Sequence, residues 1–245
     1  MKNILKSLLI VVITITTTTI SAQELTLEAI YSGRDFYPKM VYGMNSLNDG
    51  AHYTRFENDS INVYNYETGD RTGTIAAVAD MIPFYDSVPI RFRSFEFSAD
   101  ESMLLIPTKT DYIYRYSSES NYFIWDIADK KLKDVSRDGK QRLADFSPDG
   151  TMVAFVRDNN LFVKTLATDI ELEVTKDGEY NKIINATTDW VYEEEFAITK
   201  GFQWSPDSKK IAFLRFDESE VKEWQMTTWG DLYPEHYKFK YPKAG

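Results

Sequence analysis

Short apolar strands alternate with polar turns along most of the chain. One turn phrase recurs as Phe97-Ser98-Ala99-Asp100, Phe146-Ser147-Pro148-Asp149-Gly150 and Trp204-Ser205-Pro206-Asp207-Ser208. An apolar stretch follows each copy, at residues 103–106, 152–156 and 211–216. Pro fixes φ at the second position of a turn and Gly accepts a positive φ. The pattern therefore predicts a repeated tight turn that leads into a β-strand.

A second phrase lies between the copies of the first. Residues 61–64, 122–125 and 161–164 are rich in β-branched and aromatic side chains, which favours strands, and each stretch runs into a polar turn. Residues 46–50 are a degenerate first copy of the turn phrase. Four-stranded units at this period are typical of β-propeller blades. The alternative is a β-sandwich, which also has short strands at regular spacing, but repeated turn-plus-strand phrases favour the propeller.

The repeats predict an all-β chain in which residues 40–245 form about four propeller blades, preceded by an N-terminal extension at residues 23–39. An unclosed array exposes a strand edge, so we expect these blades to be part of a larger ring instead of a closed four-bladed one. Residues 111–120 and 177–201 lengthen the second and fourth units. Insertions in repeat folds collect on the binding face, so these two segments are the expected location of a site.

The first 22 residues predict a secretory signal peptide. Lys2 and Lys6 precede a short apolar segment, and Ser21-Ala22 precedes the expected cleavage before Gln23. The alternative is an uncleaved membrane anchor, but the apolar core is far shorter than the ~20 residues that a spanning helix needs. We therefore expect an exported protein that is periplasmic or extracellular.

Composition narrows the function classes. The formal net charge is −10, which argues against nucleic acid as a partner, because phosphates favour a basic surface. The chain has no cysteine and 2 histidines, so neither a disulfide nor a Cys-based or His-rich metal site is expected. No cofactor is expected.

The candidate chemistry is concentrated in the second insertion. Glu193, Glu194 and Glu195 are adjacent and follow the aromatic residues Trp190 and Tyr192. Adjacent like charges repel one another and do not stabilise a scaffold, whereas carboxylates beside aromatics can attract a cation strongly. Neighbouring side chains on a helix splay by roughly a quarter turn or more, so at most two of the three can converge on one target. A solvated acidic surface is the alternative interpretation.

The motif resembles a known family. Thr188-Asp189-Trp190-Val191-Tyr192-Glu193-Glu194-Glu195 is similar to the double-glutamate segment of the dipeptidyl peptidase IV family of serine exopeptidases. The similarity continues through Trp204-Ser205-Pro206-Asp207, Ala212-Phe213, residues 217–221 and Tyr241-Pro242-Lys243-Ala244-Gly245. Arg115, Ser117 and Tyr122-Phe123-Ile124-Trp125-Asp126 resemble the segment that carries the family's substrate-binding arginine. The resemblance spans the chain after the signal peptide but only the first half of the family's propeller.

The resemblance implies an eight-bladed propeller stacked on an α/β-hydrolase domain that removes Xaa-Pro or Xaa-Ala dipeptides from peptide N-termini. Glu194 and Glu195 would bind the substrate ammonium, Arg115 would hydrogen-bond a substrate carbonyl, and Glu193 would be structural. An ordinary strand-end arginine paired with a surface acid is the alternative for Arg115. A homodimer of the complete enzyme is a further expectation.

One departure from the family bears on activity. A serine hydrolase needs a Gly-x-Ser-x-Gly nucleophile elbow with an acid and a histidine, and no such motif occurs in the sequence. We expect no catalytic residue and no peptidase activity from these residues alone, because the hydrolase domain is absent. The alternative function is a non-catalytic propeller module that binds peptides or a protein partner.

Overall fold

The computed structural model describes residues 25–32, 36–38 and 40–243, so the expected signal peptide lies outside the described residues. A boundary between Tyr42 and Gly43 divides the chain into two units. The described part of the first unit contains the short helix α1 (Leu27–Tyr31), which begins where the Thr26 hydroxyl accepts a hydrogen bond from the Ala29 amide at 3.1 Å.

The second unit is built from antiparallel strands, and its first twelve strands form three four-stranded sheets. The first sheet contains β1 (Asn45–Ser46), β2 (His52–Glu57), β3 (Ser60–Asn65) and β4 (Arg71–Ala77), in that order. A 3-10 turn at Val78–Asp80 follows β4. The second contains β5 (Glu96–Phe97), β6 (Met103–Tyr112), β7 (Ser118–Asp126) and β8 (Lys131–Asp134). The third contains β9 (Arg142–Phe146), β10 (Met152–Arg157), β11 (Asn160–Thr165) and β12 (Ile170–Glu173).

The fourth repeat is less regular than the first three. Its elements are β13 (Ile183–Asn185), helix α2 (Trp190–Phe196), β14 (Phe202–Trp204), β15 (Ile211–Phe213), β16 (Arg215–Asp217), β17 (Glu223–Thr228) and β18 (Glu235–Lys240). They pair as β13 with β16, β14 with β15, and β17 with β18. The strand expected at residues 211–216 is interrupted at Leu214, whose amide donates to the Gly201 carbonyl at 2.8 Å and whose carbonyl accepts from the Ala186 amide at 2.9 Å. The insertion thus splits the fourth blade into strand pairs. Three sheets plus these pairs confirm the predicted partial propeller.

The repeated turn phrase adopts one structure wherever it occurs. Ser98 and Ser147 each donate a hydrogen bond to the aspartate two residues later, at 2.6 and 2.7 Å. The same serine hydroxyls accept the amide that opens the next strand, at 3.0 Å in both copies. Ser205 repeats both contacts, with Asp207 at 2.6 Å and the Lys210 amide at 2.9 Å. The sequence repeat therefore marks the turn between the first two strands of each unit.

The hydrophobic core lies between successive sheets. Along β10, Val153 and Phe155 pack with Leu105 of the second sheet, whereas Ala154 and Val156 belong to the next cluster along the chain. Alternate residues of a strand point to opposite faces, so a strand buried on both faces is apolar throughout. These four residues of β10 are completely buried, and burial of each large apolar side chain stabilises the fold by about 1.5–3 kcal/mol. The continuous apolar runs in the sequence have this origin.

A glycine fixes the start of the second insertion against the third sheet. A Cβ at Gly178 would lie 2.5 Å from the carbonyl oxygen of Asn159, and the Gly178 amide donates to Oδ1 of Asn160 at 2.9 Å. No side chain fits there unless the backbone moves. The segment that carries helix α2 is therefore held close to the turn between β10 and β11.

We expect Gly178→Ala to lower the free energy of unfolding by about 1–3 kcal/mol, because the added methyl group forces this backbone contact apart. Urea unfolding followed by tryptophan fluorescence measures the change. Gly230→Ala is the matched control, since nothing lies within 4 Å of a Cβ at Gly230. Equal unfolding midpoints for the two variants would contradict the close contact at Gly178.

Candidate functional site

The β6–β7 hairpin places Arg115 at its tip. The two strands pair from Met103 with Asp126 to Tyr112 with Ser118. The Ile113 amide donates to the Ser117 carbonyl at 2.9 Å, which closes the loop around Arg115. The first insertion thus extends this hairpin beyond the sheet.

Helix α2 carries the three glutamates of the second insertion. Its N-cap is Asp189, whose Oδ1 accepts a hydrogen bond from the Tyr192 amide at 2.8 Å. The helix ends at Ala197, which has a left-handed conformation with φ of 54°. A capping aspartate and a left-handed C-terminal residue are common helix boundary signals. They confine the helix to Trp190–Phe196, so the acidic run occupies its second half.

Glu193 joins the two insertions. Its side chain is buried, and its Oε1 accepts hydrogen bonds from the backbone amides of Tyr116 and Ser117, both at 2.8 Å. These amides flank the tip of the β6–β7 hairpin next to Arg115. A carboxylate that accepts two amide hydrogen bonds is a strong anchor. Glu193 therefore fixes the position of the arginine loop relative to helix α2, which agrees with a structural role for this residue.

Glu194 and Arg115 form an ion pair across the two insertions. Nε of Arg115 lies 3.2 Å from Oε2 of Glu194, and the exposed fractions of the two side chains are 67% and 16%. Glu195, the next residue of the helix, is exposed and has no ion-pair partner among the residues that the structure describes. The structure therefore brings Arg115 and Glu194 into contact and leaves Glu195 beside them.

The three carboxylates thus have three different surroundings, as expected for adjacent residues of a helix. Glu193 faces backbone amides, Glu194 faces the Arg115 guanidinium, and Glu195 faces solvent. Glu194, Glu195 and Arg115 together carry one net negative charge. An ammonium group would neutralise this charge, because a carboxylate and an amine are both ionised near neutral pH.

Aromatic side chains fix the first half of the helix. Trp190 packs against Phe239 with ring centroids 4.8 Å apart, and Tyr192 packs edge-on against Phe216 at 5.0 Å. Aromatic pairs in these arrangements contribute about 0.5–1.5 kcal/mol beyond their burial. The aromatic residues that accompany the acidic run in the sequence therefore hold the helix on strands β16 and β18.

A cavity of about 430 Å³ lies beside the first turn of the helix. Arg142, Asp189 and Glu218 are among its lining residues, and the sequence analysis assigns no role to Arg142 or Glu218. Burial raises the pKa of Glu218 to about 7, and the neighbouring charge of Asp189 adds to the effect, whereas Lys240 opposes it. Burial also raises the pKa of Asp189. The sequence does not indicate that Arg142, Asp189 and Glu218 share a cavity, because they come from separate strands and loops.

The raised pKa of Glu218 predicts a pH-dependent stability. The folded state holds the Glu218 proton more tightly than the unfolded state, so this contribution is complete below about pH 4.5 and is lost as pH rises to about 7. Glu218→Gln cannot ionise. We therefore expect the free energy of unfolding of this variant to increase by about 1–3 kcal/mol relative to that of the unmodified protein when the pH is raised from about 5 to about 8.

Urea unfolding of both proteins at the two pH values measures this gain. Glu220→Gln is the matched control, because Glu220 is exposed and lies two residues away. If the free energy of unfolding of Glu218→Gln differs from that of the unmodified protein by the same amount at both pH values, the raised pKa of Glu218 is wrong.

Within residues 25–32, 36–38 and 40–243, no group of three or more His, Cys, Asp or Glu side chains is arranged to hold a metal ion. In the same part of the chain, no helix has the length and apolar character to cross a membrane.

Comparison with known proteins gives consistent results. The model of the dipeptidyl peptidase IV (DPP IV) N-terminal region matches residues 98–245. The chain is 29% identical to the prolyl endopeptidase FAP of Homo sapiens over 224 residues, or 89% of this chain and 28% of that protein. It is 36% identical to a probable dipeptidyl-aminopeptidase B of Chaetomium globosum over 164 residues, or 60% of this chain and 18% of that protein.

A solved structure shows the same fold. The crystal structure of Porphyromonas gingivalis dipeptidyl peptidase 4 matches with a TM-score of 0.77 and 38% identity, covering 91% of this chain and 32% of that chain. The chain thus spans less than a third of the length of each of these relatives. The matched region includes helix α2 and its acidic run, as well as the hairpin that carries Arg115. The chain belongs to the dipeptidyl peptidase IV family and represents part of its N-terminal region.

Proposed function

We propose that the chain is the substrate-selecting propeller portion of an exported dipeptidyl peptidase that releases Xaa-Pro or Xaa-Ala dipeptides from peptide N-termini. One observation carries the proposal. The buried Glu193 anchors the arginine loop to helix α2, so that the Arg115 guanidinium and two further carboxylates share one surface. Family membership and relatives named as dipeptidyl peptidases support the same assignment.

In this proposal Glu194 and Glu195 bind the free ammonium of the peptide N-terminus. The Arg115–Glu194 pair leaves one negative charge in the group, and an ammonium ion balances it. Glu194 is mostly buried, so its attraction to a cation is less screened than that of an exposed carboxylate. A peptide with a blocked amine has no such charge and would lose this interaction.

Arg115 supplies hydrogen-bond donors for a substrate carbonyl. Arginine has five N–H donors in a planar fork, and the contact with Glu194 uses Nε. The terminal nitrogens of Arg115 have no hydrogen-bond partner among the described residues. The ion pair therefore orients the guanidinium without consuming its remaining donors.

The position of the bound ammonium determines which peptide bond is cleaved. Carboxylates held at a fixed distance from a nucleophile place the second peptide bond of the substrate at that nucleophile. Holding the reacting groups in place also lowers the activation barrier. The chain contains no Gly-x-Ser-x-Gly nucleophile elbow, so the peptide bond would be cleaved by residues outside this sequence. Export is supported by the signal-like pattern of the first 22 residues.

The proposal is tested on the protein expressed from its complete gene to the natural stop codon. We expect release of Ala-Pro from an alanyl-prolyl chromogenic substrate with a free amine. The N-acetylated form of the same substrate should be cleaved at least about 30-fold more slowly, which corresponds to losing about 2 kcal/mol of charge pairing. Equal rates for the two substrates would overturn ammonium recognition, and cleavage of neither would overturn the peptidase assignment.

A further inference from the structure

The cavity beside the first turn of helix α2 contains two polar groups that lack partners. Glu218 is 6% exposed, and no group among the described residues donates a hydrogen bond to its carboxylate. The Arg142 guanidinium has no hydrogen-bond or ion-pair partner in the same part of the chain, and its terminal nitrogens, unlike its Nε, are not sealed from solvent. Both residues line the cavity. Buried polar groups in folded proteins are nearly always hydrogen-bonded, so an unpaired acceptor and an unpaired donor in one cavity call for an explanation.

Glu218 and Arg142 have different charged neighbours. The charges that act on Glu218 are those of Asp189 and Lys240, whereas the groups that act on Arg142 are Glu193, Tyr114 and Glu119. The Lys240 ammonium donates one hydrogen bond to the Val221 carbonyl at 2.6 Å. No ion pair joins Glu218 to Arg142 or to Lys240 among the described residues.

Aromatic rings also line the cavity. Tyr114, Trp190 and Phe239 contribute to the wall, and the Trp190 and Phe239 rings are 4.8 Å apart. The volume of about 430 Å³ is within the range of about 300–1,000 Å³ found for small-molecule pockets, which combine apolar walls with a few placed polar groups. The cavity has this composition.

We propose that this cavity binds a small zwitterion, either a free amino acid or a dipeptide, whose ammonium pairs with Glu218 and whose carboxylate accepts hydrogen bonds from the terminal nitrogens of the Arg142 guanidinium. The aromatic wall would receive the side chain of the ligand. A neutral or singly charged molecule would leave one of the two buried groups unpaired.

This cavity is distinct from the surface proposed to bind substrate. Arg115, Glu194 and Glu195 do not line it, although Tyr114 and Trp190 belong to the same hairpin and the same helix. The inference rests on Glu218 and Arg142 alone and does not depend on the proposed function. It would hold even if the chain selected no substrate.

Isothermal titration calorimetry on the protein from the complete gene tests the proposal. The probes are L-phenylalanine and L-alanyl-L-proline, and the paired controls are phenylalaninamide and N-acetyl-phenylalanine. We expect at least one zwitterion to bind. If phenylalanine binds, both controls should bind at least about tenfold more weakly than phenylalanine. Binding of phenylalanine points to free amino acids, whereas binding of the dipeptide alone points to peptide products. These comparisons need no variant and are independent of folding defects.

Variants locate the binding. Glu218→Gln and Arg142→Gln should each weaken binding at least about tenfold, whereas the exposed Glu67→Gln and Arg93→Gln controls should not change it. The Glu194→Gln/Glu195→Gln double variant should bind normally, because these residues lie outside the cavity. The proposal is overturned if neither zwitterion binds at millimolar concentration, if phenylalanine binds but phenylalaninamide binds equally well, or if only the double variant loses binding.

Discussion

Simultaneous replacement of Glu194 and Glu195 by glutamine is expected to lower kcat/KM for a free-amine Xaa-Pro substrate at least about 30-fold. Removing one side of a partly buried charge pair costs about 2–5 kcal/mol, and about 1.4 kcal/mol corresponds to a tenfold change in rate. Glutamine keeps the size of the side chain and removes the charge that would balance the substrate ammonium. The measurement is steady-state hydrolysis by the protein expressed from its complete gene.

The single variants separate the two carboxylates. Glu195→Gln removes a carboxylate without an ion-pair partner among the described residues, whereas Glu194→Gln also weakens the contact with Nε of Arg115. We therefore expect the larger loss from Glu194→Gln. Glu67→Gln is the matched control, because Glu67 is exposed in a turn of the first sheet. The N-acetylated substrate, which lacks the charge, should be insensitive to the double change. Turnover of the free-amine substrate at the unmodified rate would rule out the ammonium role.

Glu193→Ala is expected to lower the free energy of unfolding by about 2–4 kcal/mol. The substitution leaves the Tyr116 and Ser117 amides without their acceptor, and Ser117 is 2% exposed. Each buried donor left unpaired costs about 1–3 kcal/mol. Urea unfolding measures the loss, and amide hydrogen exchange at Tyr116 and Ser117 should become faster because the hairpin tip is no longer tied to helix α2.

Glu193→Gln distinguishes the hydrogen bonds from the charge. Its amide oxygen can still accept from both backbone amides, so we expect a loss of only about 1 kcal/mol. Glu195→Ala, on the exposed side of the same helix, controls for the change in helix composition and should leave unfolding unaffected. If Glu193→Ala unfolds at the same urea concentration as Glu195→Ala, the proposed anchoring of the arginine loop is wrong.

Local sequence was sufficient to predict most of the fold. The Ser-x-Asp turns at Ser98, Ser147 and Ser205 are held by hydrogen bonds between residues two to five positions apart. Interactions between residues this close in the sequence can be predicted from the sequence. The apolar runs at residues 103–106 and 152–156 became strands buried on both faces. The exception is the run at residues 211–216, which is mostly exposed and which the long-range hydrogen bonds of Leu214 to Ala186 and Gly201 interrupt.

The candidate site was predicted in part. The resemblance pointed to Arg115, Glu194 and Glu195, and the structure places Arg115 against Glu194. Their roles toward a substrate remain predictions. The signal peptide and an exported location are also predictions, because they concern residues outside the described part of the chain. Arg142 and Glu218 belong to no motif, so no sequence pattern indicated the cavity that they share.

The sequence by itself determined the repeat, the turn chemistry and the acidic run, since each depends on residues that are neighbours along the chain. The tertiary structure alone decided which of the three glutamates is buried. The hydrogen bonds of Glu193 reach residues 76 and 77 positions away, and the direction of a helical side chain depends on which surface the helix packs against. That packing assigns one carboxylate to the backbone, one to Arg115 and one to solvent.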